Sequence, residues 1–196
     1  PLNDIQQRKH FAQLQKTLNA LPEIDYERVN EAKITYLKAI YQQEGEATLK
    51  SDDFKTFFQA SQEWLVPYAY YSYLRDKLGT ANFMQWKGHS QWNKVDRLPL
   101  STPGTKEYQH VAFFYYVQYI LHRQMEAAHI TARKHGIVLK GDIPIGVNRL
   151  GCDVWTTPHF FNLDGQAGAP PDDFAIEGQN WGFPTYNWKQ LQQDGY

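Results

Sequence analysis

The sequence predicts an α/β chain in which helices dominate. Three observations carry this. Residues 106–135 place Phe114, Val117, Leu121, Met125, Ala128 and Ala132 three or four positions apart, the spacing of one buried helical stripe. That helix runs straight into the apolar residues Ile137, Val138 and Leu139, which read as a strand over residues 137–141, buried on both faces. Glycines and prolines then crowd the chain, as turns require. A long amphipathic helix feeding a buried strand belongs to a barrel or a doubly wound sheet, not to a bundle.

The remaining elements follow in order. Phe11, Leu14, Leu18 and Leu21 mark a helix over residues 5–21 that Pro22 breaks. Asp25 can cap a second helix bearing Val29, Ala32, Tyr36 and Ile40, and Gly45 is expected to end it. Ser51 can cap a third, with Phe54, Phe57 and Phe58 on its apolar side. A separate helix is expected over residues 64–78, with Pro67 marking its first turn and Gly79 its end. Its tyrosine-rich face is expected to pack against a neighbouring wall, with ligand binding as the alternative. Residues 83–100 carry Trp86 and Trp92 among polar residues and read as an irregular connection. Exposed indoles there would mark a partner; buried ones would anchor the loop. In the long helix, Phe113, Tyr116 and Ile120 cover a second face of the first half. Arg123, Arg133 and Lys134 keep the second half wet and favour the helix C-terminus.

Composition excludes several functions. Lys plus Arg is 20 and Asp plus Glu is 21, a net charge of -1, with no basic cluster, so nucleic acid is not an expected partner. No apolar run is long enough for a membrane span, and the N-terminal PLNDIQQRKH is unlike a signal peptide. The single Cys152 rules out an internal disulfide. The seven histidines show no metal spacing, and phosphate-loop, dinucleotide and nucleophile-elbow motifs are missing, so no cofactor or metal is expected. The apolar fraction of 42% permits a real core, and 196 residues make one domain or part of one.

What chemistry remains lies in acids, amides and rings near turns. Asp142 follows the predicted strand, where α/β sheets place reactive groups; it is equally a turn-forming Asx residue. Asp153, Asp164, Asp172 and Asp173 also sit near turns. Paired carboxylates can carry acid–base chemistry, but nothing local selects a pair. Residues 165–182 form a stretch too long and too apolar for an idle loop. In GQNWGFP, Trp181 lies between Gly178 and Gly182, whose freedom lets the backbone approach a ligand.

The motifs GDIPIGV, DVW, GAPPDDF and GQNWGFPTYNW resemble those of the amylomaltases, or 4-alpha-glucanotransferases, of glycoside hydrolase family 77. The form is most similar to the bacterial and plant disproportionating enzymes. Known members are several hundred residues long, and the resemblance is dense from residue 64 to 196, so the chain looks like an internal piece. The resemblance implies a partial (β/α)8 barrel, predominantly helical, with residues 1–62 a helical insertion and residues 63–196 part of the catalytic domain. It implies a cytoplasmic enzyme that transfers α-1,4-glucan segments between glucan or maltooligosaccharide donors and sugar acceptors, with retention through two displacements.

In relatives the acid after the two prolines, here Asp172, and the Gln and Trp that follow, here Gln179 and Trp181, line sugar subsites. With Asp142, these are the candidate substrate-binding residues. The family's catalytic acids lie on later strands, and no catalytic residue is assigned here. Relatives often carry an aromatic in place of Asp173, many have Ser in place of Cys152, and an acid in place of Pro67. Self-association through faces left open by a missing barrel is a further expectation. The competing reading is a non-catalytic carbohydrate-binding or protein-interaction piece.

Overall fold

The computed structural model describes residues 2–142 and 144–195. It is predominantly helical, with two small antiparallel sheets. Helix α1 (Ile5–Asn19) starts at Asp4, whose carboxylate accepts the Gln7 N–H at 2.9 Å. Helix α2 (Tyr26–Lys50) starts at Asp25 in the same way, with Arg28 N–H at 3.0 Å. Each cap satisfies a donor that the first helical turn cannot. Ser51 both ends α2 and begins α3 (Asp52–Leu78): its hydroxyl donates to the Thr48 carbonyl at 2.7 Å and accepts the Phe54 N–H at 3.2 Å. Gly79 closes α3 at φ 66°, the left-handed geometry that favours glycine.

Two helix ends expected from sequence do not occur. Gly45 lies inside α2, where the Tyr41 ring one turn earlier covers it: a Cβ there would stand 2.2 Å from that ring. Here glycine serves close packing, not termination. The helix expected to start near Trp64 is instead the second half of α3, which runs unbroken through buried Pro67. The ring forfeits one backbone bond, but Leu65, Val66 and Ala69 around it are fully buried and carry the helix through.

Two short 3-10 turns (Phe83–Gln85 and Lys94–Asp96) lead to α4 (Arg97–Ser101) and then α5 (Lys106–Lys134). Thr105 caps α5 by accepting the Tyr108 N–H at 3.1 Å. Arg97 grips Glu63 with a two-pronged contact at 2.7 and 2.5 Å, tying α4 to α3.

The first core lies between α3 and α5. Phe54, Phe57, Leu65, Val66 and Ala69 meet Leu100, Tyr108, Val111, Ala112, Tyr115 and Tyr119. The buried stripe of α5 is therefore the tyrosine-rich one. The stripe expected through Leu121 and Met125 faces solvent, with Met125 64% exposed. Tyrosine won because its hydroxyls find partners, as Tyr115 does on the Leu100 carbonyl at 3.0 Å.

A second core uses the next turns of α3. Tyr71 and Leu74 pack with Phe83, Trp86 and with Val154 and Trp155 of α6 (Cys152–Thr156). Trp86 is buried and donates to the Thr80 carbonyl at 3.1 Å, so it anchors the connecting loop. Beyond α6, β1 (Phe161–Asn162) pairs with β4 (Thr185–Tyr186), and β2 (Gly168–Ala169) with β3 (Gln179–Asn180). Helix α7 (Trp188–Asp194) follows.

The strand expected over residues 137–141 is not formed. These residues are irregular and exposed, Val138 to 89%. A strand buried on both faces needs neighbours on each edge, and none of the described elements pairs with this run.

Two consequences can be measured. Tyr115→Ala should lower unfolding free energy by about 3–5 kcal/mol, whereas Tyr115→Phe should lose about 1–3 kcal/mol by stranding a buried carbonyl; denaturant titration separates them. Burial, with the neighbouring Asp153 charge second, pushes the Cys152 thiol up to about 12. Native Cys152 should then react with a thiol reagent at pH 8 roughly a thousandfold slower than a free thiol. Denaturation should restore the rate.

Candidate functional site

Residues 161–186 form one long hairpin with an outer ladder, β1 with β4, and an inner ladder, β2 with β3. Sequence alone marked residues 165–182 as a stretch too long and too apolar for an idle loop, without pairing its arms. The structure shows why its glycines are there. A Cβ on Gly168 would lie 2.1 Å from the Gln179 carbonyl oxygen across the inner ladder. Gly178 holds φ 73°, and a Cβ there would meet the Ala169 oxygen at 2.7 Å. Both allow the two arms to close more tightly than any side chain permits.

The second core fixes the base of this hairpin. Tyr71 on α3 donates its hydroxyl to the Leu150 carbonyl, and Trp155 donates its indole N–H to the His89 carbonyl at 2.8 Å. The Asn187 N–H bonds the Phe160 carbonyl at 2.8 Å, closing the outer end. Gly146 packs against Phe183: a Cβ on it would lie 2.2 Å from that ring. From the turn at residues 148–151, Arg149 donates to the Leu163 carbonyl at 2.6 Å and also to that of Gly165.

Three of the four candidate residues sit on this hairpin. Asp172 begins its tip. One carboxylate oxygen accepts the Phe174 N–H at 2.9 Å and the Ala175 N–H at 2.7 Å, an Asx turn that the Asp172 N–H to Ala175 carbonyl bond at 3.2 Å reinforces. Its other oxygen takes part in neither bond. Beside it, Asp173 is exposed, and Phe174 stands 98% exposed. Gln179 and Trp181 alternate along one arm and so share a face. The Trp181 indole N–H donates to the Gln179 side-chain oxygen at 3.0 Å. The Trp181 backbone is held by the Ala167 carbonyl at 2.9 Å, and its ring is backed by Phe183 at 5.8 Å. Trp181 is 43% exposed, so it is no core anchor. Gln179 keeps its amide donors while its oxygen orients the indole.

Asp142 is placed differently. It lies in the exposed irregular segment after α5, not at the end of a strand, so the strand-end argument for it falls with the strand. Cys152 starts α6 against the second core. Among the described residues, no cluster of three or more His, Cys, Asp or Glu could hold a metal ion. No described helix is long and apolar enough to cross a membrane.

Sequence reasoning missed Arg149, Gly146 and Tyr71, which set the hairpin in place. Their signals are short: a glycine and an arginine inside IGVNRLG, and one tyrosine among many in α3. Nothing in their spacing reports a partner 14 or more residues away.

Chemically, this surface offers a half-exposed indole face, amide donors and a tip carboxylate on an ordered two-stranded arm. That combination suits an uncharged polyhydroxylated ligand: rings stack on its C–H faces while amides and carboxylates take its hydroxyls.

A family model described as 4-alpha-glucanotransferase matches residues 2–196. The chain is 40% identical over 189 residues to the rice 4-alpha-glucanotransferase DPE2, covering 96% of this chain and 20% of that protein. It is 36% identical over 182 residues to the 4-alpha-glucanotransferase of Chlamydia caviae, covering 91% of this chain and 33% of that one. The chain thus spans a third or less of these relatives. Its fold is similar to the Streptococcus agalactiae amylomaltase in complex with acarbose, at TM-score 0.74 and 24% identity over 94% of this chain and 41% of that one. The Corynebacterium glutamicum amylomaltase matches at TM-score 0.73 and 24% identity, over 98% of this chain and 26% of that one. By its match along almost the whole length, the chain belongs to the 4-alpha-glucanotransferase family, glycoside hydrolase family 77.

Proposed function

We propose that this chain is the substrate-facing part of a 4-alpha-glucanotransferase. The complete enzyme moves α-1,4-glucan segments from glucan or maltooligosaccharide donors to sugar acceptors. It does so by a retaining double displacement, in which a carboxylate first forms a glucosyl intermediate that a sugar 4-hydroxyl then resolves. No residue of this chain is given a role at the reacting atoms. The observation that carries the reading is the half-exposed Trp181, oriented by Gln179 on an ordered hairpin in a chain of this family.

In this reading Trp181 stacks on a glucose ring, Gln179 and Asp172 take hydroxyls, and Asp142 approaches from the neighbouring segment. Orientation of the acceptor favours transfer over hydrolysis, because a positioned hydroxyl reacts at an effective concentration that bulk water does not match. Residues 1–62 form a helical insertion and residues 63–196 a portion of a (β/α)8 barrel. α3 runs across that boundary, so the insertion would share a helix with the barrel portion. Exposed Ile137, Val138 and Leu139 supply the apolar run that a barrel strand needs. A cytoplasmic setting is part of the same proposal.

Two outcomes follow. In the full-length polypeptide, Trp181→Ala should lower kcat/KM for maltotriose disproportionation roughly 5- to 150-fold, the equivalent of about 1–3 kcal/mol of ring stacking. Its denaturant midpoint should barely move; an unchanged kcat/KM with a much lower midpoint would reject the sugar contact. The 196-residue chain by itself should self-associate through its open apolar run. Sedimentation velocity showing a monomer at every concentration would count against the barrel placement.

A further inference from the structure

The two ladders of the hairpin are not in continuous register. Asn162 pairs with Thr185 and Gly168 with Asn180, so five residues of one arm, 163–167, stand opposite four of the other, 181–184. A mismatch of one residue bends a two-stranded arm and sets the angle of what lies beyond it. Beyond it here lie β2 and β3, with Gln179, and the tip with Asp172; Trp181 sits at the edge of the break itself.

Within the break, the Leu163 and Gly165 carbonyls receive no backbone N–H from the described residues. Both are instead held by Arg149, through Nη1 to Leu163 at 2.6 Å and Nη2 to Gly165. The planar fork of guanidinium spans two acceptors at a fixed separation, which a lysine ammonium cannot reproduce. The base of that fork is itself fixed. Asn148 accepts the Leu150 N–H on its side chain at 2.9 Å and the Gly151 N–H on its backbone at 2.8 Å. The Tyr71 hydroxyl bonds the Leu150 carbonyl, and α6 follows at once into the second core. Arg149 Nε is buried without a hydrogen-bond partner, so the hold lies in the two Nη contacts.

From this geometry we infer that Arg149 is a positioning residue: it clamps the break between the ladders and so sets the angle at which the hairpin presents Asp172, Gln179 and Trp181. Its effect on sugar binding rests on the function proposed above; its effect on the hairpin does not. Because the clamp acts on backbone carbonyls, its loss should loosen the arm without emptying either core.

Hydrogen exchange on the full-length polypeptide tests it, comparing Arg149→Met and Arg149→Lys with the parent. In Arg149→Met the Ala167 and Trp181 amides, which bond across the break, should exchange at least tenfold faster. The Tyr115 amide in α5 should not change. Arg149→Lys should recover only part of the protection. Three results would overturn the inference: unchanged hairpin exchange in Arg149→Met, an equal acceleration in α5, or full recovery by Lys. A maltotriose assay on the same proteins separates the two ideas. A KM raised about tenfold with kcat nearly constant supports the clamp acting on substrate. Faster hairpin exchange with unchanged KM keeps the clamp and rejects the sugar-facing role.

Discussion

Burial of α3 along consecutive turns is the constraint from which the other parts hang. Phe54, Phe57, Leu65, Val66 and Ala69 commit its first five turns to α5, and Tyr71 and Leu74 commit the next to the tryptophan cluster. The two cores share Tyr70, Tyr73 and Trp92 at their junction. Rings dominate both. Trp86 and Trp155 meet edge to face at 5.9 Å, and Phe54 and Tyr119 at 5.5 Å, the geometry in which aromatic quadrupoles attract. A helix tied on both cores gives Tyr71 a fixed position, and Tyr71 is what reaches the turn from which the hairpin departs.

This arrangement explains why a hairpin with so little ladder is ordered. Four two-residue strands cannot hold a 26-residue excursion, residues 161–186, by pairing alone. The arm is instead fastened along its length: by Asn187 at its base, by Phe183 against Gly146, by Arg149 in the break, and by the Asp172 turn at its tip. Fastening leaves the Phe174 ring and half of the Trp181 indole in solvent. An exposed aromatic on a rigid arm can meet a ligand at low entropic cost, since the arm need not be ordered on binding.

Much of this was legible from residue types. Capping at Asp25, Ser51 and Gly79, and the presence of helices at α1, α2 and α5, follow from local rules that the structure obeys. The exposed Trp181 between polar residues was legible too, because a core indole would sit in a regular apolar pattern. Where the sequence misled, packing decided. Gly45 looked like a stop, but the Tyr41 ring one turn earlier in α2 lies on it; Pro67 looked like a start, but the first core flanks it on both sides. Leu121 and Met125 looked like core, but α3 faces the tyrosines of the preceding turns. Residues 137–141 have the composition of a buried strand without strand partners among the described elements, and Asp142 lost its predicted place with them. The role of Arg149 could not be read at all, since it depends on a register break visible only in three dimensions.

On the function proposed above, the arm from Phe161 to Tyr186 is a preformed sugar-facing wall. Exchange footprinting of the full-length polypeptide with and without saturating maltoheptaose tests it most directly. The account predicts protection concentrated at the amides of residues 172–182, with α1, α2 and the open groove between them unchanged. Protection absent from residues 172–182, or concentrated in the α1–α2 groove, would contradict it.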